Sequence, residues 1–283
     1  MNILVTGANG QVGSELQTLA AQYPSFSFVF VDREQLDITN FDAVQAFFEQ
    51  QAFDYCINCA AYTAVDKAES DTEMAKLVNH IGAENLAKAC AQKQARMIHF
   101  STDYVYHNQQ NTPFKEDDTT SPQGVYAQTK LDGDLAALAA NSETIVVRTS
   151  WVYSSFGHNF VKTMLRLGAD RDKLTIIFDQ IGSPTYARDL AKAMLDIIQQ
   201  QPATFSGIYH YSNEGVCSWF DFARAIFDLK NINCSTSPIE TKDYPTPAQR
   251  PPFSLLNKGK IKATFGIEIP YWRDSLKACL ELL

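Results

Sequence analysis

Residues 2–13 read NILVTGANGQVG: a run of aliphatic and β-branched residues passes, at Thr6, straight into glycines at 7, 10 and 13. The run reads as a buried strand and the following QVGSELQTLAAQY (11–23) as a helix, so the glycines stand on the turn between them. A turn in that place needs glycine for three reasons: a tight bend, close approach of a pyrophosphate to backbone N–H groups, and close packing of helix on sheet. The helix N-terminus adds partial positive charge. A glycine trio alone is weak evidence. It gains weight from a second strand, SFVFVD (27–32), ending on Asp32, where the ribose hydroxyls of a dinucleotide would lie. As a unit these residues predict a dinucleotide cradle from Gly7, Asn9, Gly10, Gln11, Val12 and Gly13, with Asp32, Arg33, Asp37 and Ile38 at its adenosine end.

Outward from that unit, strands DYCINCAA (54–61), RMIHFS (96–101) and TIVVRTSWVY (144–153) alternate with helices over 41–51 and 73–93 and one beginning near Val125. Such alternation is the signature of βαβ units and predicts an α/β, doubly wound parallel sheet of Rossmann type. Beyond Tyr153 the rhythm loosens: helices over 159–169, 187–201 and 219–229, strands over 174–179 and 207–212, and a Pro- and Thr-rich tail over 238–258. The expectation is a dinucleotide-binding domain over 1–153, rejoined by the chain around 187–212. A smaller α+β substrate domain should occupy 154–283, mainly 154–186 and 213–283.

Composition narrows the partners. With 45% hydrophobic and 20% charged residues the chain is ordinary globular protein. A net charge of -8 with no basic run speaks against nucleic acid or an anionic membrane surface, since both demand concentrated Lys and Arg. No signal-peptide pattern and no long apolar run is present, so a soluble, cytoplasmic protein is expected. The scattered cysteines read as reduced core thiols. Cys56 and Cys59 form C-x-x-C, but inside an apolar strand with no second pair or nearby histidine, so no metal site is expected.

Two further stretches carry chemistry. NCAAYTAVDKAE (58–69) follows the third strand, where small Ala60 and Ala61, with Tyr62, would let a cofactor pass. HFSTDYVY (99–106) ends the next strand on Ser101, Thr102, Asp103 and Tyr104, polar groups delivered to the carboxyl edge where doubly wound sheets bind ligands. In GVYAQTK (124–130), Tyr126 and Lys130 are four apart and share one helix face. Such pairs are common on solvated helices, and only the surrounding motifs raise this one to a candidate.

TGANGQVG, NCAAYTAVDKAE, STDYVY, VYAQTK, RTSWVY, GHNFVKTML and DQIGSPTYARDLA, in that order along nearly the whole chain, resemble the extended short-chain dehydrogenase/reductase superfamily and, within it, the dTDP-4-dehydrorhamnose reductase family. The resemblance implies reduction of the C4 ketone of dTDP-4-dehydro-L-rhamnose to dTDP-L-rhamnose by NADPH or NADH. It aligns Tyr126 and Lys130 with the catalytic Tyr-x-x-x-Lys and Thr102 with its Ser/Thr partner. A developing alkoxide needs a phenolic proton donor, and a nearby ammonium would make Tyr126 a stronger acid; Lys130 would also bind the nicotinamide ribose. The resemblance further implies that Asp103 and Tyr104 line the hexose site, that Trp151 packs on the sugar, and that Asn159, Gln180 and Arg250 hold the nucleotide diphosphate. In AQRPPFSLLN, Phe253 stands where the family commonly has asparagine.

Three other readings share these features. Dehydratases of nucleotide sugars use a Thr-Asp-Glu triplet, and here Tyr104 follows Asp103. An epimerase would keep the same Tyr and Lys. A regulatory subunit such as the β subunit of methionine adenosyltransferase keeps a dinucleotide site without turnover. Asp32 should repel a 2′-phosphate while Arg33 could receive one, which leaves the choice of cofactor open. Glu15 matches one ligand of the Mg²⁺ that bridges some family dimers, but the second acidic position falls at Arg188. Glu15 is therefore read as a solvated helix residue, and the protein as a monomer or weak homodimer.

Overall fold

The computed structural model describes residues 1–283. The chain forms β1 (Asn2–Thr6), α1 (Gln11–Leu19), β2 (Ser27–Val31), α2 (Phe41–Gln50), β3 (Tyr55–Asn58), α3 (Val65–Ala68), α4 (Thr72–Lys76), α5 (Gly82–Gln92), β4 (Arg96–Thr102), α6 (Val125–Ala140) and β5 (Thr144–Thr149). It continues through β6 (Val152–Tyr153), α7 (Phe160–Asp170), β7 (Lys173–Ile177), β8 (Ile181–Gly182), β9 (Thr185–Tyr186), α8 (Ala187–Gln200), β10 (Gly207–His210), β11 (Cys217–Ser218), α9 (Trp219–Lys230), β12 (Ser235–Ile239), α10 (Gly259–Phe265) and α11 (Trp272–Leu280).

The main sheet runs β10-β5-β4-β3-β1-β2, and every neighbouring pair is parallel. The chain steps from β1 to β2 on one side and from β3 outward on the other, so the order reverses between β1 and β3. At such a switch point the loops leaving the carboxyl ends part and open a crevice. Register sets Thr6 beside Asn58, which brings the glycine turn against the segment from Cys59.

Alternation along β1 sends Ile3 and Val5 to one face and Leu4 to the other. The first face packs with Leu16 of α1 and Leu190, Met194 and Ile198 of α8. The second packs with Val44 and Phe48 of α2 and Leu86 and Cys90 of α5. Both faces are covered, which is why these strands read as continuous apolar runs. A separate cluster joins Val161 and Met164 of α7, Leu174 and Ile176 of β7, Phe222 and Ile226 of α9, and Leu276 of α11. Beside it lies the small parallel pair β7–β12.

Several elements differ from the sequence reading. The strand expected over 144–153 breaks at Trp151, whose φ of 48° is left-handed. A bulky residue there costs about 1–3 kcal/mol; its ring stacks on Trp219 with centroids 3.7 Å apart, which offsets part of that cost. The helix expected over 73–93 is interrupted by a π turn, Leu77–Ile81. There α6 comes so close that a Cβ on Gly133 would lie 2.1 Å from the Asn79 carbonyl oxygen, and the wider turn accommodates the approach. Helices α10 and α11 were not anticipated; Ile261 and Phe265 of α10 join the first cluster.

Candidate active site

The glycine turn is shaped by close approach. Gly7 has φ 64°, and a Cβ there would lie 2.6 Å from the backbone N of Ala60. A Cβ on Gly13 would lie 2.5 Å from the Gly7 carbonyl oxygen. Gly10 caps α1 without a side chain, so the first-turn N–H groups at Gln11, Val12 and Gly13 meet no capping oxygen. Beside them is a cavity of about 640 Å³ lined by Gly7, Asn9, Gly10, Asp32, Arg33, Asp37, Ile38, Ala60, Ala61 and Tyr62. Asp32 accepts from Asn9 Nδ2 at 2.9 Å and from the backbone N–H groups of Glu34 and Gln35, which fixes its carboxylate at the cavity rim. Asp37 is held by Thr39, while the buried Ile38 lies where a Cβ on Gly82 would collide. Walls of backbone and small residues, an exposed helix N-terminus and an acidic group fit the pyrophosphate and ribose of a dinucleotide. Val12 packs on the first core cluster, and Gln11 turns away toward Val152 and Asn159.

On the other side of the switch point, β4 ends at Thr102. Its hydroxyl donates to Asp103 Oδ1 and accepts from Tyr104 N, both at 3.2 Å, which folds 103–105 into one tight turn. Tyr104 meets Tyr126 edge to face, with centroids 5.6 Å apart. Tyr126 is set by the start of α6: Gly124 has φ 85°, and Glu69 accepts from the Val125 N–H at 2.8 Å. One turn on, Lys130 is only 2% exposed, donates to the Phe100 carbonyl at 2.6 Å and lies 3.4 Å from His99 Nε2.

Electrostatics here differ from the sequence argument. Lys130 was expected to make Tyr126 a stronger acid, but burial pushes the phenol up to about 12 and the nearby acids Asp103 and Asp134 add to it, while Thr102 pulls the other way. The ammonium is turned to Phe100 and His99 instead. Burial lowers Lys130 itself to about 8, against the attraction of Asp134. Burial raises Asp103 to about 7, against hydrogen bonds from Ser254 and Thr102, and its Oδ2 is buried without a partner. The set can keep a proton on a phenol near neutrality, beside a hydroxyl and a carboxyl that share one turn.

A glycine crevice on β1 and β3, next to a Thr–Tyr–Lys set on β4 and α6, narrows the choice among families that share this sheet. Over residues 1–283 the chain matches the family model for the RmlD substrate binding domain. It is 39% identical to a dTDP-4-dehydrorhamnose reductase of Aggregatibacter actinomycetemcomitans, over 97% of each chain. The chain belongs to the dTDP-4-dehydrorhamnose reductase family. Among solved structures, a dTDP-4-dehydrorhamnose reductase of Clostridium acetobutylicum superposes with a TM-score of 0.95 at 40% identity, covering 100% of this chain and 99% of that one. One from Bacillus anthracis, solved in complex with NADP, superposes with a TM-score of 0.94 at 35% identity and the same coverage.

Family likeness implied ligand contacts that the fold uses otherwise. Asn159 caps α7 by accepting from Lys162 N, and its amide donates to Gln11 and to the Ser154 carbonyl. Gln180 is 3% exposed and spent on Thr241 and Trp219. Arg250 makes a two-pronged pair with Asp66, at 2.7 and 3.0 Å. Phe253 packs against Phe114. Glu15 is a plain correction: it is fully buried, not solvated, and accepts from Ser154 at 2.6 Å and Arg188 at 2.8 Å. Glu15 was read as solvated because no second acid stood ready to share a cation with it, but its side of α1 is covered by α8 and the loop after β6. No group of three or more His, Cys, Asp or Glu comes together to hold a metal ion.

Sequence reasoning passed over His99 and Asp134, which lie beside Lys130, and Asn58, which holds His99. Asp134 carried a signal, one helical turn past Lys130 on the same face. His99 and Asn58 carried none, because only strand register makes them neighbours.

Proposed function

We propose that this protein reduces the C4 ketone of dTDP-4-dehydro-L-rhamnose to dTDP-L-rhamnose with NADPH or NADH. The observation that carries the reading is the Thr102, Tyr126 and Lys130 set beside the glycine crevice, in a chain that matches its family from end to end. When bound, the nicotinamide supplies the hydride. Tyr126 holds the proton that the developing alkoxide takes, and its high pKa keeps that proton in place at neutral pH. Thr102 holds the carbonyl oxygen by a second hydrogen bond, and the Lys130 ammonium compensates the phenolate left behind. Asp103 and Tyr104 face the hexose, Trp151 packs on it, and Arg250 reaches the diphosphate by leaving Asp66. Asn159 and Gln180 support that side through Gln11 and Trp219.

Residues 1–153 with 187–212 are read as the dinucleotide domain, and 154–186 with 213–283 as the substrate domain. A cytoplasmic monomer or weak homodimer completes the proposal; all six cysteines are free thiols, and no helix is long and apolar enough to cross a membrane. The test is incubation with the 4-keto sugar nucleotide and each reduced cofactor, following nicotinamide absorbance and the product sugar. Absence of oxidation with both cofactors would sink the reading.

A further inference from the structure

Lys130 is one member of a buried polar cluster. Asn58 Oδ1 accepts from Thr6 Oγ1 at 2.8 Å and from Ala60 N at 3.1 Å, so its amide nitrogen is the atom that faces His99 Nδ1, at 3.0 Å. An amide nitrogen only donates, so Nδ1 accepts and the hydrogen-bond network assigns the ring proton to Nε2. That Nε2–H faces two groups: Lys130 Nζ at 3.4 Å and Asp134 Oδ1 at 3.8 Å. An ammonium has no lone pair to receive it. Asp134 Oδ1 does, and it is buried without a hydrogen-bond partner. Asp134 Oδ2 accepts from Ser101 at 2.8 Å and from Arg148 Nε at 3.2 Å. Arg148 is 2% exposed and its guanidinium lies against this oxygen, so the carboxylate compensates it; the free oxygen is turned to His99.

We infer that Asp134 is a positioning residue: its carboxylate, turned to the His99 Nε2–H, offsets the donor that points at Lys130 and so holds the Lys130 ammonium in place at the start of α6. The inference rests on the reading of Tyr126 and Lys130 as the catalytic pair. The groups around Lys130 are His99 from β4 and Tyr126 and Asp134 from α6, with Arg148 of β5 behind Asp134. Burial works against the ammonium and Asp134 works for it, in keeping with the lowering of Lys130 to about 8. His99 is held neutral, first by burial and then by Lys130, and so serves as a fixed dipole.

The test is a ¹⁵N NMR titration of Lys130 Nζ in the cofactor-free protein, with Lys130→Arg to assign the resonance, alongside the pH profile of kcat on the 4-keto sugar nucleotide. Asp134→Asn should lower the Lys130 midpoint by about one to two pH units, and the alkaline limb of kcat should move the same way. Asn58→Asp should do the opposite: a carboxylate accepts from Nδ1–H, the ring proton changes sides, and Nε2 becomes an acceptor aimed at the ammonium. Opposite shifts support the inference. Midpoints that stay put in both variants overturn it even if turnover falls, because a merely structural loss lowers activity at every pH. If Asp134→Asn does not fold, Asp134→Ser takes its place, a lowered midpoint supporting and an unmoved one refuting. A wild-type protein without turnover would refute the reductase reading, while the titration would still decide this one.

Discussion

The two sides of the proposed site are built on opposite plans. The crevice between β1 and β3 is walled at its base by backbone, glycines and small residues, with the free N–H groups at the start of α1, and Asp32, Arg33 and Asp37 stand at its rim. The side formed by Asn159, Gln180 and Arg250 is walled by long polar side chains already bonded to Gln11, Thr241, Trp219 and Asp66. Helix-end N–H groups need no protein partner where solvent reaches them, whereas a buried amide or guanidinium costs about 1–3 kcal/mol or more if left unpaired. A cofactor therefore meets a shape that is already made. On the proposed reading, a sugar nucleotide has to exchange partners with the protein on that side, and its net gain per contact is smaller.

The largest effect should come where the two sides meet. Tyr126→Phe should lower kcat by roughly 10²–10⁴-fold, because a general acid contributes on that order, while Kd for NADPH stays within about twofold because ground-state binding is not touched. Near-normal kcat would remove Tyr126 from the chemistry. Next comes the preformed crevice. Gly7→Ala puts a methyl 2.6 Å from backbone at a left-handed φ, where nothing flexible can move aside. It should destabilise the fold by about 1–3 kcal/mol and raise Kd for NADPH and NADH together; thermal melting and cofactor titration check it. An unchanged Kd would mean the crevice adapts.

The same contrast explains what could be read in advance. Strands covered on both faces read as apolar runs, so the sheet and its parallel order followed from β1 through β5 with ends off by a few residues. The glycine turn was legible because backbone geometry dictates glycine there. Trp151 was not: nothing in TIVVRTSWVY announces a left-handed residue, since the stacked Trp219 lies far along the chain. Glu15 was misread because Arg188, taken as the residue that spoils a cation site, is its ion-pair partner across α1 and α8, a contact 173 residues apart in the chain. The cluster around Lys130 depends on register between β3, β4 and α6, and only Asp134 had a local signature. Helices α10 and α11 are short and follow a polar tail, where periodicity has too few turns to register.

On the partner-exchanging side, effects should be smaller and should appear in KM. Arg250→Met should raise KM for the sugar nucleotide about 10-fold, the order of one hydrogen bond to a charged group, with kcat little changed. Asp66→Asn should lower that KM by about twofold, since it weakens a competitor that is itself partly solvated and screened. Equal rises in KM for both variants would show that the pair itself shapes the site. Asp32→Ala should shift kcat/KM toward NADPH by a few-fold, by removing a carboxylate that Asn9 and the 34–35 turn hold in place, while Arg33 remains exposed at the rim. An unchanged cofactor ratio would put Asp32 outside the ribose contacts.

The smallest expected effect is none, and it concerns Glu15. A hard cation such as Mg²⁺ needs oxygen ligands with unspent lone pairs and, at a subunit contact, carboxylates that reach the surface. Glu15 is fully buried, one of its oxygens accepts from Ser154 and the other is paired with Arg188. The guanidinium thus brings the positive charge from within the chain. Asp189, the remaining acid nearby, is bonded to Asn213 and Ser275 inside the fold and does not turn outward. Chelation should therefore leave mass and activity unchanged, read by light scattering and turnover with and without EDTA. A dimer that dissociates on chelation would show that Arg188 swings out and that this pair belongs with the partner-exchanging contacts of the substrate side.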